Sequence, residues 1–293
     1  MQSFVLMFLI LLLFTACKAD EATYDYDLQG HRGARGLLPE NTIPSFLKAI
    51  DYGVDTIEFD LIVTADNEIL ISHEPWFDHQ ISTKSDGTPV TEEEQMDLNI
   101  YRMTYEETQQ FDVGIRAHAG FPDQEPMEAT KPLMRDAIIA IENYVEEQGL
   151  DPVYYNIETK SRPEWYGVYG PQPEEFSQLL YDELAELDIL DRVIIQSFNP
   201  ATLIAMREID PGVVQAILVY EEDQTIDRYI EILGYTPEIW SPQYELVTPE
   251  LVADVHDRGM TIIPWTINER EEMIRLLEMG VDGIITDYPN RAP

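Results

Sequence analysis

The chain of 293 residues carries 56 acidic and 18 basic side chains, a formal net charge of −38 with its histidines neutral. So anionic a surface repels nucleic acid and the anionic face of a bilayer, and binding either one needs Lys/Arg clusters that the sequence lacks. With 44% apolar residues and a mean hydropathy of −0.23, the composition excludes a disordered polymer. Its acids are spread through Asp20 to Asp27, Glu92 to Glu94, Glu174 to Asp191 and Glu221 to Asp223, as a solvated surface requires.

From the N-terminus, the apolar run Phe4 to Phe14 is shorter than the roughly 20 residues that a helix needs to span a bilayer. It fits the apolar core of a secretory signal. Leu13-Phe14-Thr15-Ala16-Cys17 resembles a bacterial lipobox, in which the cysteine is lipidated and becomes the mature N-terminus. The expectation is a signal peptide over residues 1–16 and a polar tether over 17–25. The protein is then exported to a bacterial cell envelope, periplasmic or outer-membrane associated, with the lipid on Cys17 as its membrane contact. Cys17 is the sole cysteine and has no histidine nearby, which argues against a disulfide or zinc role.

Residues 26–293 alternate short apolar runs with helical patterns, the rhythm of a parallel β/α protein. A strand ends at Gly30, and a helix runs from Asn41 to Tyr52 with Pro44 in its first turn and Gly53 as its stop. Strands follow at Asp55–Val63, Ile69–Ser72, Val153–Glu158, Val193–Phe198, Val213–Val219, Ile239–Trp240, Thr261–Trp265 and Gly283–Thr286. Between Asp60 and His73 there is no room for a crossover helix, so the second and third strands form a hairpin. A turn centred on Asp66-Asn67 sets Asp60 opposite His73. Eight strands then remain in the β/α series, a TIM (β/α)8 barrel. Residues 75–131 break the rhythm, with twelve acids against four bases and scattered Gly and Pro. They read as a small helical or irregular insertion near the active-site mouth. Pro132 opens a helix to Gln148, Asn199, Thr248 and Asn268 read as helix caps, and Gly259 and Gly280 as stops.

Three constellations carry chemistry. His31-Arg32-Gly33, with Pro39-Glu40-Asn41-Thr42 after it, sits at a strand end, where barrel enzymes place catalytic groups. Arg32 offers a fork that matches phosphate oxygens. Alternation along a strand turns Glu58 and Asp60 to one face, and Glu158 and Lys160 share a face in the same way. Like charges so placed call for a cation, and three carboxylates are hard oxygen ligands suited to Mg²⁺ or Ca²⁺ and not to zinc. His73 is a second candidate acid or base. His79, His118 and His256 read as ordinary histidines.

The motifs His31-Arg32-Gly33, Pro39-Glu40-Asn41-Thr42, Glu58-x-Asp60, His73, Glu158-x-Lys160, Gln196-Ser197-Phe198, Trp265-Thr266-Ile267-Asn268 and Gly280 to Pro289 stand in an order that resembles the glycerophosphodiester phosphodiesterase family. The resemblance implies a TIM barrel with an insertion, hydrolysing a small glycerophosphodiester to glycerol 3-phosphate and an alcohol with one divalent cation. It implies that His31 and His73 are the acid/base pair and that Glu58, Asp60 and Glu158 are metal ligands. Arg32 and Lys160 would contact phosphate and substrate, and Trp265 would lie near the glycerol pocket or pack the barrel mouth. Glu74 departs from the Asp common after the second histidine, which leaves its role open. Rival readings are a lysophospholipase D, a phosphatidylinositol-specific phospholipase C-like enzyme, or a surface lipoprotein that binds the diester without cleaving it. The sequence leaves open the alcohol, the choice of metal, which histidine is the acid, a cyclic intermediate against direct attack by water, and the oligomeric state. An anionic substrate on so acidic a protein requires a local field opposite in sign to the global one.

Overall fold

The computed structural model describes residues 24–293; the expected signal peptide and Cys17 lie outside them. β1 (Asp27–Gly30) leads through a long loop into α1 (Ile43–Asp51), where Pro44 occupies the first turn and Gly53, at φ 77°, turns the chain away after the last helical residues. β2 (Thr56–Val63) and β3 (Ile69–Ile71) form the antiparallel hairpin, but its centre falls on Asp66. Leu61 pairs with Ile71, and Ser72, not His73, lies opposite Asp60, its N–H donating to Asp60 O at 2.9 Å. The cause is a three-residue loop with Asn67 in the left-handed region (φ 63°), which is one residue longer than the two-residue turn expected. A shift of one residue reverses the facing of side chains, so His73 reaches the site from the coil after β3 and not from the strand.

The insertion holds the short pair β4 (Thr83–Lys84) and β5 (Phe111–Asp112) and the four-residue α2 (Tyr105–Thr108). Its Phe77, Val90, Ile100 and Val113 pack on Ile62 and Leu70 of the hairpin, a cluster separate from the main core. α3 (Met134–Gln148), β6 (Tyr154–Thr159), α4 (Pro173–Glu186), β7 (Val193–Ser197), α5 (Pro200–Ile209), β8 (Val214–Val219), α6 (Ile226–Leu233), β9 (Ile239–Pro242), α7 (Pro249–Asp257), β10 (Thr261–Ile262), α8 (Arg270–Met279) and β11 (Gly283–Thr286) complete the series. Asn199 and Thr248 cap their helices through side-chain oxygens, whereas Asn268 does not: Glu269 occupies that position in α8, and Asn268 is committed elsewhere. β10 is shorter than expected because Pro264 has no N–H for the ladder.

The parallel strands run in the order β10-β9-β8-β7-β6-β2-β1-β11, with β3 attached to β2. Asp282 N donates to Ile262 O and Ile285 N to Pro264 O, each at 3.0 Å, and this links the two ends into a nearly closed barrel ringed by helices. The TIM barrel is therefore present. Strand alternation divides it in two. Ile57, Phe59, Leu61, Tyr155, Ile157, Ile195, Ile217 and Ile284 face the helices in the main core. Inside, the β7 to β11 side is lined by Ile194, Ala216, Ile239, Ile263 and Ile285. Facing it, β1, β2 and β6 present Gln29, Glu58, Asp60, Asn156 and Glu158, all buried. Polar and charged groups in such a place need partners, and those partners define the site.

Candidate active site

Register brings the acids together. Asp60 lies beside Glu158 across β2 and β6, and Glu158 beside Gln196 across β6 and β7. Glu58, Asp60 and Glu158 each offer an oxygen within 4.8 Å of the others. Gln196 Nε2 donates to Glu58 Oε1 at 2.8 Å, and Asn156 Nδ2 donates to Gln29 Oε1 and Gln196 Oε1 at 2.7 and 3.1 Å, so a polar chain buttresses the triad from below. Lys160 Nζ lies 2.8 Å from Glu158 and 3.7 Å from Asp60. Burial and the neighbouring Asp60 push the Glu58 carboxyl well above the ordinary range, and burial pushes Glu158 up to about 7. Burial also raises Asp60, but Arg32, His73 and Lys160 overcome this and hold it well below its usual value. Added positive charge is what three ionised carboxylates in one buried spot require. The donor set fits Mg²⁺ or Ca²⁺, because three buried carboxylates within 4.8 Å of one another are hard oxygen ligands.

The loop after β1 is tied to this triad through its backbone. Arg32 (φ 50°) and Gly33 (φ 84°) both take left-handed conformations, and a Cβ on Gly33 would come within 2.6 Å of the Ser45 backbone. The turn aims Arg32 N at Glu58 Oε2, 2.8 Å away. The Arg32 side chain lies 2.7 Å from Glu40 and 3.2 Å from Asp60, and Arg35 pairs with the other Glu40 oxygen at 2.5 Å. Asn41 Nδ2 donates to Asp60 Oδ2 at 2.8 Å. The Glu40 to Thr42 segment thus serves both the loop and the site.

Each of the two histidines is held by a carboxylate. His31 Nδ1–H donates to Asp287 Oδ1 at 2.6 Å, leaving Nε2 bare and 4.0 Å from Glu58. Asp287 is itself fixed by Asn268, whose Nδ2 donates to Oδ2 at 2.8 Å and whose Oδ1 accepts from Asp287 N at 3.0 Å. His73 Nδ1–H donates to Glu74 Oε1 at 2.7 Å, so the carboxylate whose role was open does orient the second ring. Burial lowers both histidines; Arg32 and Lys160 help take His73 down to about 4, while Asp287 partly opposes the shift at His31. Both rings are neutral at neutral pH.

One cavity of about 240 Å³ gathers His31, His73, Arg32, Glu58 and Glu158 against a wall that includes Phe198 and Trp265. Trp265 anchors its Nε1–H on Ser241 O at 2.9 Å and meets the Phe198 ring edge-on at 5.4 Å, so it both packs the mouth and lines the cavity. Six of the eight site residues expected from sequence line this cavity, and the other two, Asp60 and Lys160, stand behind it against Glu158. His79 stays outside this cavity, whereas His118, read as ordinary, lies buried beside an adjoining one.

The glycerophosphoryl diester phosphodiesterase family model matches residues 31–291, a span that contains every one of these groups. The chain belongs to this family. Its relatives carry the name glycerophosphodiester phosphodiesterase, and a phosphodiesterase is a phosphoric diester hydrolase. The chain is 29% identical to a glycerophosphodiester phosphodiesterase of Caldanaerobacter subterraneus over 88% of its own length and 93% of the relative's. It is 28% identical to one from Bacillus altitudinis over 89% and 94%. A solved structure of a glycerophosphoryl diester phosphodiesterase from Silicibacter pomeroyi, described as putative, superposes with a TM-score of 0.81 at 28% identity, covering 92% of each chain. An Oleispira antarctica phosphodiesterase solved in complex with sn-glycerol-3-phosphate shares the fold, with a TM-score of 0.70 at 21% identity, over 90% of this chain and 94% of that one.

No individual active-site role follows from the sequence for Asp287, Asn268, Gln196, Glu40 or Arg35 in this phosphodiesterase, and Asn268 reads there as a helix cap. Four of the five stood inside the quoted motifs. A signal was available for Asp287 and Asn268, polar residues placed just beyond strand ends on the face that bears the histidine loop.

Proposed function

We propose that the protein hydrolyses glycerophosphodiesters to glycerol 3-phosphate and an alcohol with one divalent cation, Mg²⁺ or Ca²⁺, and with His31 and His73 as the acid/base pair. The observation that carries this reading is the shared cavity: two imidazoles with bare Nε2 atoms, each fixed by a carboxylate at Nδ1, face the same space as Glu58 and Glu158, with Asp60 clustered beside them. A neutral imidazole held in this way is a base at Nε2 and, once protonated there, an acid.

Glu58, Asp60 and Glu158 would hold the cation, which supplies Lewis-acid polarisation of a phosphoryl oxygen when bound. Arg32, already aimed at this spot by its backbone bond to Glu58, orients the diester and takes up developing charge, and Lys160 supports it beside Glu158 and Asp60. One imidazole removes the proton from the attacking hydroxyl as its oxygen bonds to phosphorus. The other, having first taken up a solvent proton at Nε2 beside the bound anionic diester, gives that proton to the alcohol oxygen as the P–O bond breaks, and the first ring releases its proton to solvent. Phe198 and Trp265 form one apolar wall of the cavity.

Export and lipidation at Cys17 belong to the same reading, supported by the lipobox-like Leu13 to Cys17; among the described residues no helix is long and apolar enough to cross a membrane. Fatty-acid labelling of the wild type but not of Cys17→Ser is the expected result, and equal labelling refutes it. For the chemistry, glycerol 3-phosphate release from glycerophosphocholine is assayed with Mg²⁺ or Ca²⁺ in wild type, His31→Ala and His73→Ala. Turnover is expected in the wild type and a loss of about 10²–10⁴-fold in each variant. Near-normal turnover by either folded variant removes that histidine from the mechanism.

A further inference from the structure

Beside the catalytic cavity lies a second chamber of about 150 Å³, between the barrel mouth and the insertion. Arg32, Arg35 and His73 line both spaces, so these three side chains stand between them. The far side of the chamber is built by the insertion: Lys131, His118, Asp78, Gln80 and Ile81. None of these belongs to the catalytic set described above.

Lys131 is the informative residue. It is 5% exposed, its ammonium lies over the Phe77 ring at 5.6 Å, and among the described residues its one hydrogen-bond acceptor is Ser72 Oγ at 2.7 Å, which leaves buried N–H donors without an oxygen acceptor. Burial lowers it to about 8, so it carries charge at neutral pH. His118 Nδ1 accepts from Gly120 N at 3.0 Å, which places its ring proton on Nε2 as a further donor. Asp78 Oδ1 accepts from Gln80 N at 2.6 Å, and its second oxygen remains an acceptor. Glu40 and Glu74, by contrast, are already engaged by Arg32, Arg35 and His73. The chamber thus offers several donors and at least one acceptor in a small volume. It has no aromatic face among its lining residues with which to cage a quaternary ammonium.

We propose that this chamber binds the leaving alcohol and selects a compact polyol, whose hydroxyl oxygens accept from Lys131 and His118 and whose O–H donates to Asp78. The proposal rests on the hydrolytic reading above and deepens it. A diester bridging the triad has two arms: one fits the Phe198 and Trp265 wall, and the other passes His73 into the polar chamber.

The test measures kcat/KM of the full chain for glycerophosphoglycerol and glycerophosphocholine in wild type, Lys131→Met and the exposed-site variant Gln80→Leu. The wild type is expected to favour glycerophosphoglycerol. Lys131→Met should lower that preference about tenfold, the loss of a hydrogen bond to a charged group, and Gln80→Leu should lower it by a smaller factor. If Lys131→Met does not fold, Gln80→Leu decides. An unchanged ratio in the folded variants, with both diesters still cleaved, overturns the proposal and leaves the hydrolytic reading standing. Equal loss on both diesters also overturns it, because the chamber would then hold the shared glycerol. No turnover of either diester by the wild type overturns both.

Discussion

The Asp287→Asn substitution changes one oxygen to an amide and leaves the volume nearly constant, so it isolates the orientation of His31. In the native arrangement Asp287 Oδ1 accepts from His31 Nδ1–H at 2.6 Å while Oδ2 accepts from Asn268 Nδ2 at 2.8 Å. Asn268 cannot turn round, because its Oδ1 already accepts from Asp287 N at 3.0 Å. An asparagine at 287 has one acceptor for two donors. With its NH2 toward Asn268 two donors collide; with its oxygen toward Asn268, the NH2 meets His31 Nδ1 and drives the ring proton to Nε2. The second arrangement keeps the Asn268 bond and loses the bare nitrogen that faces the cavity. A general base or acid contributes about 10²–10⁴-fold, and a ring in the wrong tautomer forfeits that factor. The expectation is a fall of that size in kcat with KM changed less than tenfold, because binding groups are untouched. The assay is steady-state release of glycerol 3-phosphate, with thermal unfolding as the control for folding. A folded Asp287→Asn variant retaining a third or more of wild-type kcat refutes the argument.

Other expectations follow from the same geometry. Saturating Mg²⁺ or Ca²⁺ should raise Tm by a few degrees, since a ligand at 100 times its Kd stabilises by about 2.7 kcal/mol; Glu158→Gln should abolish most of that rise, and an equal rise in the variant would place the cation elsewhere. His31 and His73 are depressed in the folded protein, so the unfolded chain takes up their protons first and their share of the stability is lost as pH drops below about 6.5, against an opposite contribution from the raised Glu58 and Glu158. In His73→Phe that acid slope should be shallower, and an identical slope in a denaturant series by pH contradicts the assignment. Gly33→Ala should cost at least about 2 kcal/mol, because its φ of 84° is strained for a side chain and its Cβ meets backbone; denaturant midpoints check it. With a net charge of −38, moderate salt should raise kcat/KM for a small anionic diester, since screening acts over roughly 8 Å at physiological ionic strength. A steep fall would mean that the local Arg32 and Arg35 field dominates approach.

What could be read from the sequence was whatever depends on local period. Alternation alone placed Glu58 and Asp60 inward with Phe59 outward, and the rhythm of apolar runs implied eight barrel strands. The hairpin register was missed because the difference between a two-residue and a three-residue loop rests on the φ of Asn67, which a good turn dipeptide does not decide. Asn268 had the composition of a helix cap, yet the stronger demand came from Asp287, just beyond the end of β11. His31 and Asp287 stand 256 residues apart and meet only because β1 and β11 close the barrel. Glu74 shows the converse: a longer carboxylate than the resemblance leads one to expect still reaches the ring beside it. The charged surface, prominent in the composition, contributes little to the cavity, whose character comes from a few buried pairs.

The central claim is tested most directly by following glycerol 3-phosphate released from a glycerophosphodiester by the full chain, before and after EDTA and again after Mg²⁺ or Ca²⁺ is restored. Release that stops with EDTA and returns with the cation is the expected result. Release that continues undiminished in EDTA, or none from any glycerophosphodiester with the cation present, contradicts it.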